Sequence, residues 1–100
     1  MYNANLTVEA QQDILDALLY HQKISENLKY KFIAALEKRL NDIKLFPQAY
    51  GYRCENLRAA NLKRFKYLIY FTVDESLNTI KVFAVLHGAQ NPATLIGRLK

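Results

Sequence analysis

Arg64-Phe65-Lys66-Tyr67-Leu68-Ile69-Tyr70-Phe71-Thr72-Val73 is the stretch on which the fold turns. Phe65, Tyr67, Ile69, Phe71 and Val73 recur at every second position, the spacing that puts successive side chains on one face of a β-strand. Lys66, Leu68, Tyr70 and Thr72 take the other face. A second run, Ile80 to Leu86, is predicted to send Ile80, Val82, Ala84 and Leu86 one way and Lys81, Phe83, Val85 and His87 the other. Asp74-Glu75-Ser76-Leu77-Asn78 between the two runs reads as a hairpin loop.

Working outward, a strand near Tyr52 to Arg58 leads through Ala59-Ala60-Asn61-Leu62 into the central strand. The N-terminal half has a different period. Tyr2, Ala4 and Leu6 alternate with Asn3 and Asn5 as a short first strand, and Thr7 is placed to cap a helix from about Val8 to Gln22. Ala10, Ile14, Ala17 and Leu18 form its apolar stripe, widened by Leu19. A second helix starts at Ser25 or Asn27, and Leu28, Phe32, Ala35, Leu36, Leu40 and Ile43 recur along it at three- and four-residue steps. It ends at Leu45-Phe46-Pro47, because proline has no N–H to continue it. The order β-α-α-β-β-β segregates a helical hairpin from the strands. It predicts an α+β fold with the hairpin packed on a mainly antiparallel, twisted sheet, one domain over residues 1 to 100.

Composition narrows the function classes. A chain with 51% hydrophobic and 23% charged residues belongs among folded globular chains. No apolar run reaches the roughly 18 residues of a membrane span, and the N-terminus lacks the basic and apolar regions of a signal peptide; the expectation is a cytoplasmic protein without membrane contact. Cys54 is the only cysteine, so neither an internal disulfide nor a zinc site is expected. The net charge of +5 arises wholly after residue 52: six basic side chains balance six acidic ones before it, and eight face three beyond it. This asymmetry points to a polyanion or an acidic partner on the strand-rich half. The plainer reading is an edge guarded by lysine and arginine.

The ordered combination resembles a known superfamily. Leu57-Arg58, then Lys63-Arg64-Phe65-Lys66-Tyr67-x-Ile69-Tyr70-Phe71-x-Val73, then Val82-x-Ala84-Val85-x-His87 with Asn91-Pro92 and Arg98, is similar to the RelE/ParE toxins of bacterial type II toxin-antitoxin modules. The entry and exit of the central strands resemble the ParE-like, plasmid-stabilisation branch. The resemblance implies a growth-inhibiting toxin neutralised by a cognate antitoxin, and names no metal and no organic cofactor. It leaves two targets open, DNA gyrase and the ribosome with its mRNA. Gln90 stands where many relatives carry arginine, and no tyrosine follows His87.

Cleavage of mRNA through a 2′-hydroxyl needs a base, an acid and cations around the phosphate. The resemblance suggests Glu55 on the second strand as base, Arg64 as clamp and His87 as acid, the last with an unperturbed pKa of about 6.5. A toxin that poisons gyrase by binding needs no such set. Arg53, Arg58, Lys63, Arg64, Lys66 and Arg98 are then candidates for nucleic acid or for an acidic, partly disordered antitoxin. A basic nucleic-acid-binding module without toxicity is the third alternative. Glu55 also has a purely structural reading, a cross-strand pair with Lys63 or Lys66. His21, at the end of the first helix, is given no function.

Overall fold

Thr7 joins the first strand to the first helix. Its backbone is extended and its hydroxyl accepts the Ala10 N–H at 3.1 Å, satisfying one of the donors that a helix start leaves open. The computed structural model describes residues 1–88 and 93–99. Gln90, Asn91 and Pro92, which figure in the sequence argument, lie outside the described residues. The elements run β1 (Asn3–Leu6), α1 (Val8–Ile24), α2 (Glu26–Leu45), a 3₁₀ turn at Pro47–Ala49, β2 (Tyr52–Cys54), β3 (Leu57–Leu62), β4 (Tyr67–Asp74), β5 (Thr79–His87) and α3 (Ala93–Arg98). This is the expected α+β architecture, a helical hairpin on a mainly antiparallel sheet.

Ser25 alone separates the two long helices. Its N–H closes α1 on the His21 carbonyl at 3.0 Å, and its hydroxyl accepts the Leu28 N–H at 3.3 Å to open α2. One residue capping both helices forces a tight antiparallel hairpin, with no slack to let one helix slide on the other. The sheet has the order β1-β5-β4-β3-β2, in which β1 pairs parallel with β5 and every other pair is antiparallel. Its helix-covered face packs Ile69, Phe71, Ile80, Val82 and Val85 against Ala10, Ala17, Phe32, Leu36 and Ile43. Phe32 and Phe71 are fully enclosed there, and each such side chain contributes roughly 1.5–3 kcal/mol of burial. The opposite face has its own smaller core, Leu57, Leu68, Tyr70, Ala84 and Leu86 under Leu95 of α3. Among the described residues, no helix is long and apolar enough to cross a membrane.

Three expectations are corrected. Tyr52 to Arg58 is not one strand: Glu55 adopts φ 49° and turns the chain, so β3 begins at Leu57 and the supposed connection Ala59–Leu62 is the body of a strand. The central strand starts at Tyr67, because Lys66 (φ 54°) closes a turn over residues 63–66. The predicted alternation of β5 fails at its middle. Phe71 pairs with Val82 but Tyr70 pairs with Ala84, leaving Phe83 as the extra residue of a β-bulge. Beyond it the faces exchange: Val85 joins the helix-side core with Ile80 and Val82, and Ala84 and Leu86 join the other.

The bulge is held from three sides. The Phe83 carbonyl accepts from the Thr7 hydroxyl at 3.4 Å and from Arg98 Nη1 at 3.2 Å, and the Val85 N–H donates to Asp13 Oδ2 at 3.0 Å. Backbone groups that the ladder releases are thereby satisfied.

Candidate functional site

His87 is carried to the helix side by the bulge. It pairs across the sheet with Tyr67, whose partners on that face are the helix-side core residues. The two rings meet edge to face, centroids 5.4 Å apart at 84°. Past His87, the Gly88 N–H bonds the Lys66 carbonyl at 2.7 Å, tying the end of β5 to the β3–β4 turn. A Cβ at Gly88 would stand 3.3 Å from that carbonyl, so the close approach favours glycine.

Lys66, Tyr67 and His87 line one wall of a cleft of about 620 Å3. The other wall is the last two turns of α1, with Asp16, Tyr20, His21 and Ile24, and Leu28 at the start of α2. Arg64, Lys66 and His87 supply its basic groups, and Phe65, Tyr67 and Val85 its apolar ones. The volume is that of an ordinary small-molecule or side-chain site.

His21, to which sequence reasoning gave no function, is one of the cleft's fixed parts. Its imidazole is buried, stacked on Phe32 with centroids 4.7 Å apart and met edge-on by Phe65 at 5.2 Å. Nδ1 lies 2.6 Å from the Ala17 carbonyl, an acceptor only, so Nδ1 carries the proton. The signal was present in the sequence: His21 stands four residues after Ala17 and seven after Ile14, on the apolar stripe of α1. Tyr67 is the second addition. Burial, and then the neighbouring Tyr20 hydroxyl, push its phenol above the ordinary tyrosine value. It therefore stays a neutral hydrogen-bond donor well into the alkaline range.

The expected catalytic set is divided. Arg64 and His87 share the cleft, but Glu55 lies exposed in the β2–β3 turn. β3 runs from Leu57 beside that turn to Leu62 beside Tyr67, so Glu55 stands roughly 16 Å of strand from the Arg64 turn. Arg58 is held at the middle of the sheet. Its Nη1 donates to the Tyr50 carbonyl at 2.6 Å, its Nη2 to the Tyr52 hydroxyl at 3.0 Å, and its guanidinium lies 4.2 Å over the Tyr52 ring.

Arg98 takes a partner the sequence reading did not foresee. Its Nη2 donates to Asp13 Oδ1 at 3.0 Å and its Nη1 to Oδ2 of the same carboxylate, a bidentate pair with little exposure on either side. The Asp13 carboxylate raises the Arg98 pKa, and this guanidinium holds α3 against α1. Arg53, Lys63 and Lys66 line a separate groove of about 470 Å3 with Asn61, Leu68 and Gly88. Leu68 belongs to the core of the sheet's other face. The β3–β4 turn thus places Arg64 in the cleft and Lys63 in this groove, with Lys66 bordering both, and Lys63 and Arg64 together line a smaller groove of about 230 Å3 beside Arg39 and Asp42.

Comparison with known proteins agrees with this geometry. Residues 4–92 match the family model described as the ParE toxin of the type II toxin-antitoxin system, parDE. The fold is similar to that of the isolated RelE toxin of E. coli, with a TM-score of 0.60 at 14% identity over 100% of both chains. It is similar to a chain of the intact E. coli RelBE toxin-antitoxin complex, with a TM-score of 0.61 at 15% identity, covering 90% of this chain and 100% of that one. A chain of the RelBE2 toxin-antitoxin complex of Mycobacterium tuberculosis gives a TM-score of 0.59 at 21% identity, covering 86% of this chain and 96% of that one. No curated protein matches the chain.

Proposed function

The chain belongs to the ParE toxin family of type II toxin-antitoxin systems, and from that premise we propose that it stops growth by binding its target, DNA gyrase, rather than by cutting RNA. The observation that supports this reading is the separation of Glu55 from Arg64 and His87. Attack by a 2′-hydroxyl needs base and acid on opposite sides of one phosphate, and the two groups expected in those roles sit at opposite ends of β3. A binding toxin has no such requirement. It needs a fixed, charged surface, which Arg64 and Lys66 provide beside an aromatic cleft.

The cognate antitoxin is the second partner of this reading. An acidic segment that orders on binding gains charge-assisted hydrogen bonds to Arg64 and Lys66 and covers Tyr20 and Ile24 on the facing wall. Maintenance of a plasmid follows as the biological role.

One observation favours ribosome-dependent cleavage of mRNA as a second reading: Arg64, Lys66 and His87 share one cleft with Tyr67. Arg64 and Lys66 would hold the phosphate and His87 would protonate the leaving oxygen. Asp16 on the facing wall would replace Glu55 as base.

Brief induction in bacteria, with DNA and protein synthesis pulse-labelled in parallel, separates the readings. We expect DNA synthesis to fall first, and Glu55→Gln to leave toxicity intact. Protein synthesis falling first, with toxicity lost in His87→Ala, overturns the proposal in favour of cleavage. Unimpaired growth identifies a binding module without toxicity.

A further inference from the structure

The outer face of α1 is apolar where nothing in the described chain covers it. Val8, Leu15 and Leu19 are 78%, 49% and 49% exposed. Leu15 follows Val8 by seven residues and Leu19 follows Leu15 by four, so the three lie in one row along the helix. Gln12 and Gln22 complete the row, which carries no charge. Glu9, Asp16 and Lys23 flank it, each seven residues from the next and all exposed.

The order of those charges selects the occupant. Two copies of this helix packed in parallel would set this charged flank against the partner's opposite, uncharged flank of Gln11 and Leu18, and no opposite charges would meet. Packed antiparallel about a two-fold axis, the same flank faces itself reversed, Glu9 meets Lys23 twice, and Leu15 falls at the axis against its own copy. We infer that the outer face of α1 is a self-association surface on which a second copy of this chain packs antiparallel. The only opposed like charges are the two Asp16 carboxylates near the axis, each already accepting from Gln12 Nε2 at 2.8 Å. With 17 residues, α1 is about 25 Å long. A single seam of that length buries less than the roughly 1,200 Å2 of a standard stable interface, so the dimer is weak and depends on concentration. Tyr20 and Ile24, on the adjoining flank, place each copy's cleft beside the shared axis.

Sedimentation equilibrium on the purified chain, across micromolar to millimolar concentrations, tests this. The expected result is a mass that rises from one chain towards two. Lys23→Glu should raise the dissociation constant about tenfold or more, since two attractive pairs become repulsive. Glu9→Lys combined with Lys23→Glu should restore it, and Asp16→Asn should lower it. Circular dichroism unchanged from the native chain shows that each variant folds. A monomer at every concentration, or a dimer indifferent to these charges, overturns the inference. Monomers that bind the antitoxin more weakly when Leu15→Glu is introduced would assign the face to the antitoxin instead.

Discussion

Asp13→Ala should unfold the protein more readily than any loss of one exposed contact can, because a single carboxylate joins three elements. It accepts the Val85 N–H released by the bulge, and it pairs bidentately with Arg98 of α3. Removing it strands a backbone donor, at roughly 1–3 kcal/mol. It also leaves a guanidinium without its counter-charge, which for a fully buried pair costs about 3–5 kcal/mol. The Arg98 side chain is 17% exposed and that of Asp13 9%, so Arg98 can turn partly to water and the two costs do not add in full. A net loss of about 3 kcal/mol follows, equivalent to a fall in Tm of roughly 12 °C or more for a chain of this size. Arg98→Ala should cost about 2 kcal/mol, because Asp13 keeps the Val85 N–H but its carboxylate, only 9% exposed, loses its counter-charge. Urea unfolding followed by circular dichroism measures both, with the double variant closing the cycle. The double variant should be little worse than Asp13→Ala alone. Strict additivity, or a loss below about 1 kcal/mol for Asp13→Ala, would refute the account of the bulge as a point clamped from α1 and α3.

Two further outcomes follow from the same geometry. Tyr67 holds its proton more tightly in the folded state than its ordinary value of 10.0, so the stability it adds is complete below that value and is lost as the pH rises through its higher folded pKa. Ultraviolet titration should therefore show a late-ionising phenol that disappears in Tyr67→Phe. Glu55→Gly should stabilise the fold by up to about 1 kcal/mol, since a non-glycine residue at φ 49° carries a steric cost that exceeds glycine's entropic one; an unchanged urea midpoint would contradict it.

The parts of this fold that announce themselves are those written in one segment. Tyr67 to Val73 alternates without interruption, Thr7 stands where a helix must start, and the stripe from Ala10 through Ala17 has helical spacing. Two turns were hidden because their left-handed residues are Glu55 and Lys66, where a reader looks for glycine. The bulge was hidden because Phe83, Ala84 and Val85 are all apolar, and only pairing against Tyr70 and Phe71 reveals which one is extra. Arg98 reads from sequence as a contact for a partner molecule because the carboxylate that holds it lies 85 residues away. In the cleft, Arg64 and His87 were found by residue type and resemblance. His21 is legible only through its spacing, which places it on the apolar stripe of α1.

The extra residue in β5 also bears on how such a protein changes over generations. Deleting Phe83 would remove the bulge and restore simple alternation while leaving His87 opposite Tyr67 on its present face, but the carbonyl that Thr7 and Arg98 share would be gone. Substitution scans, which keep chain length fixed, never sample that step. A lineage that loses this one codon would keep His87 in the cleft yet give up the anchor that ties α1 and α3 to β5, and catalogues of point variants would contain no trace of the event.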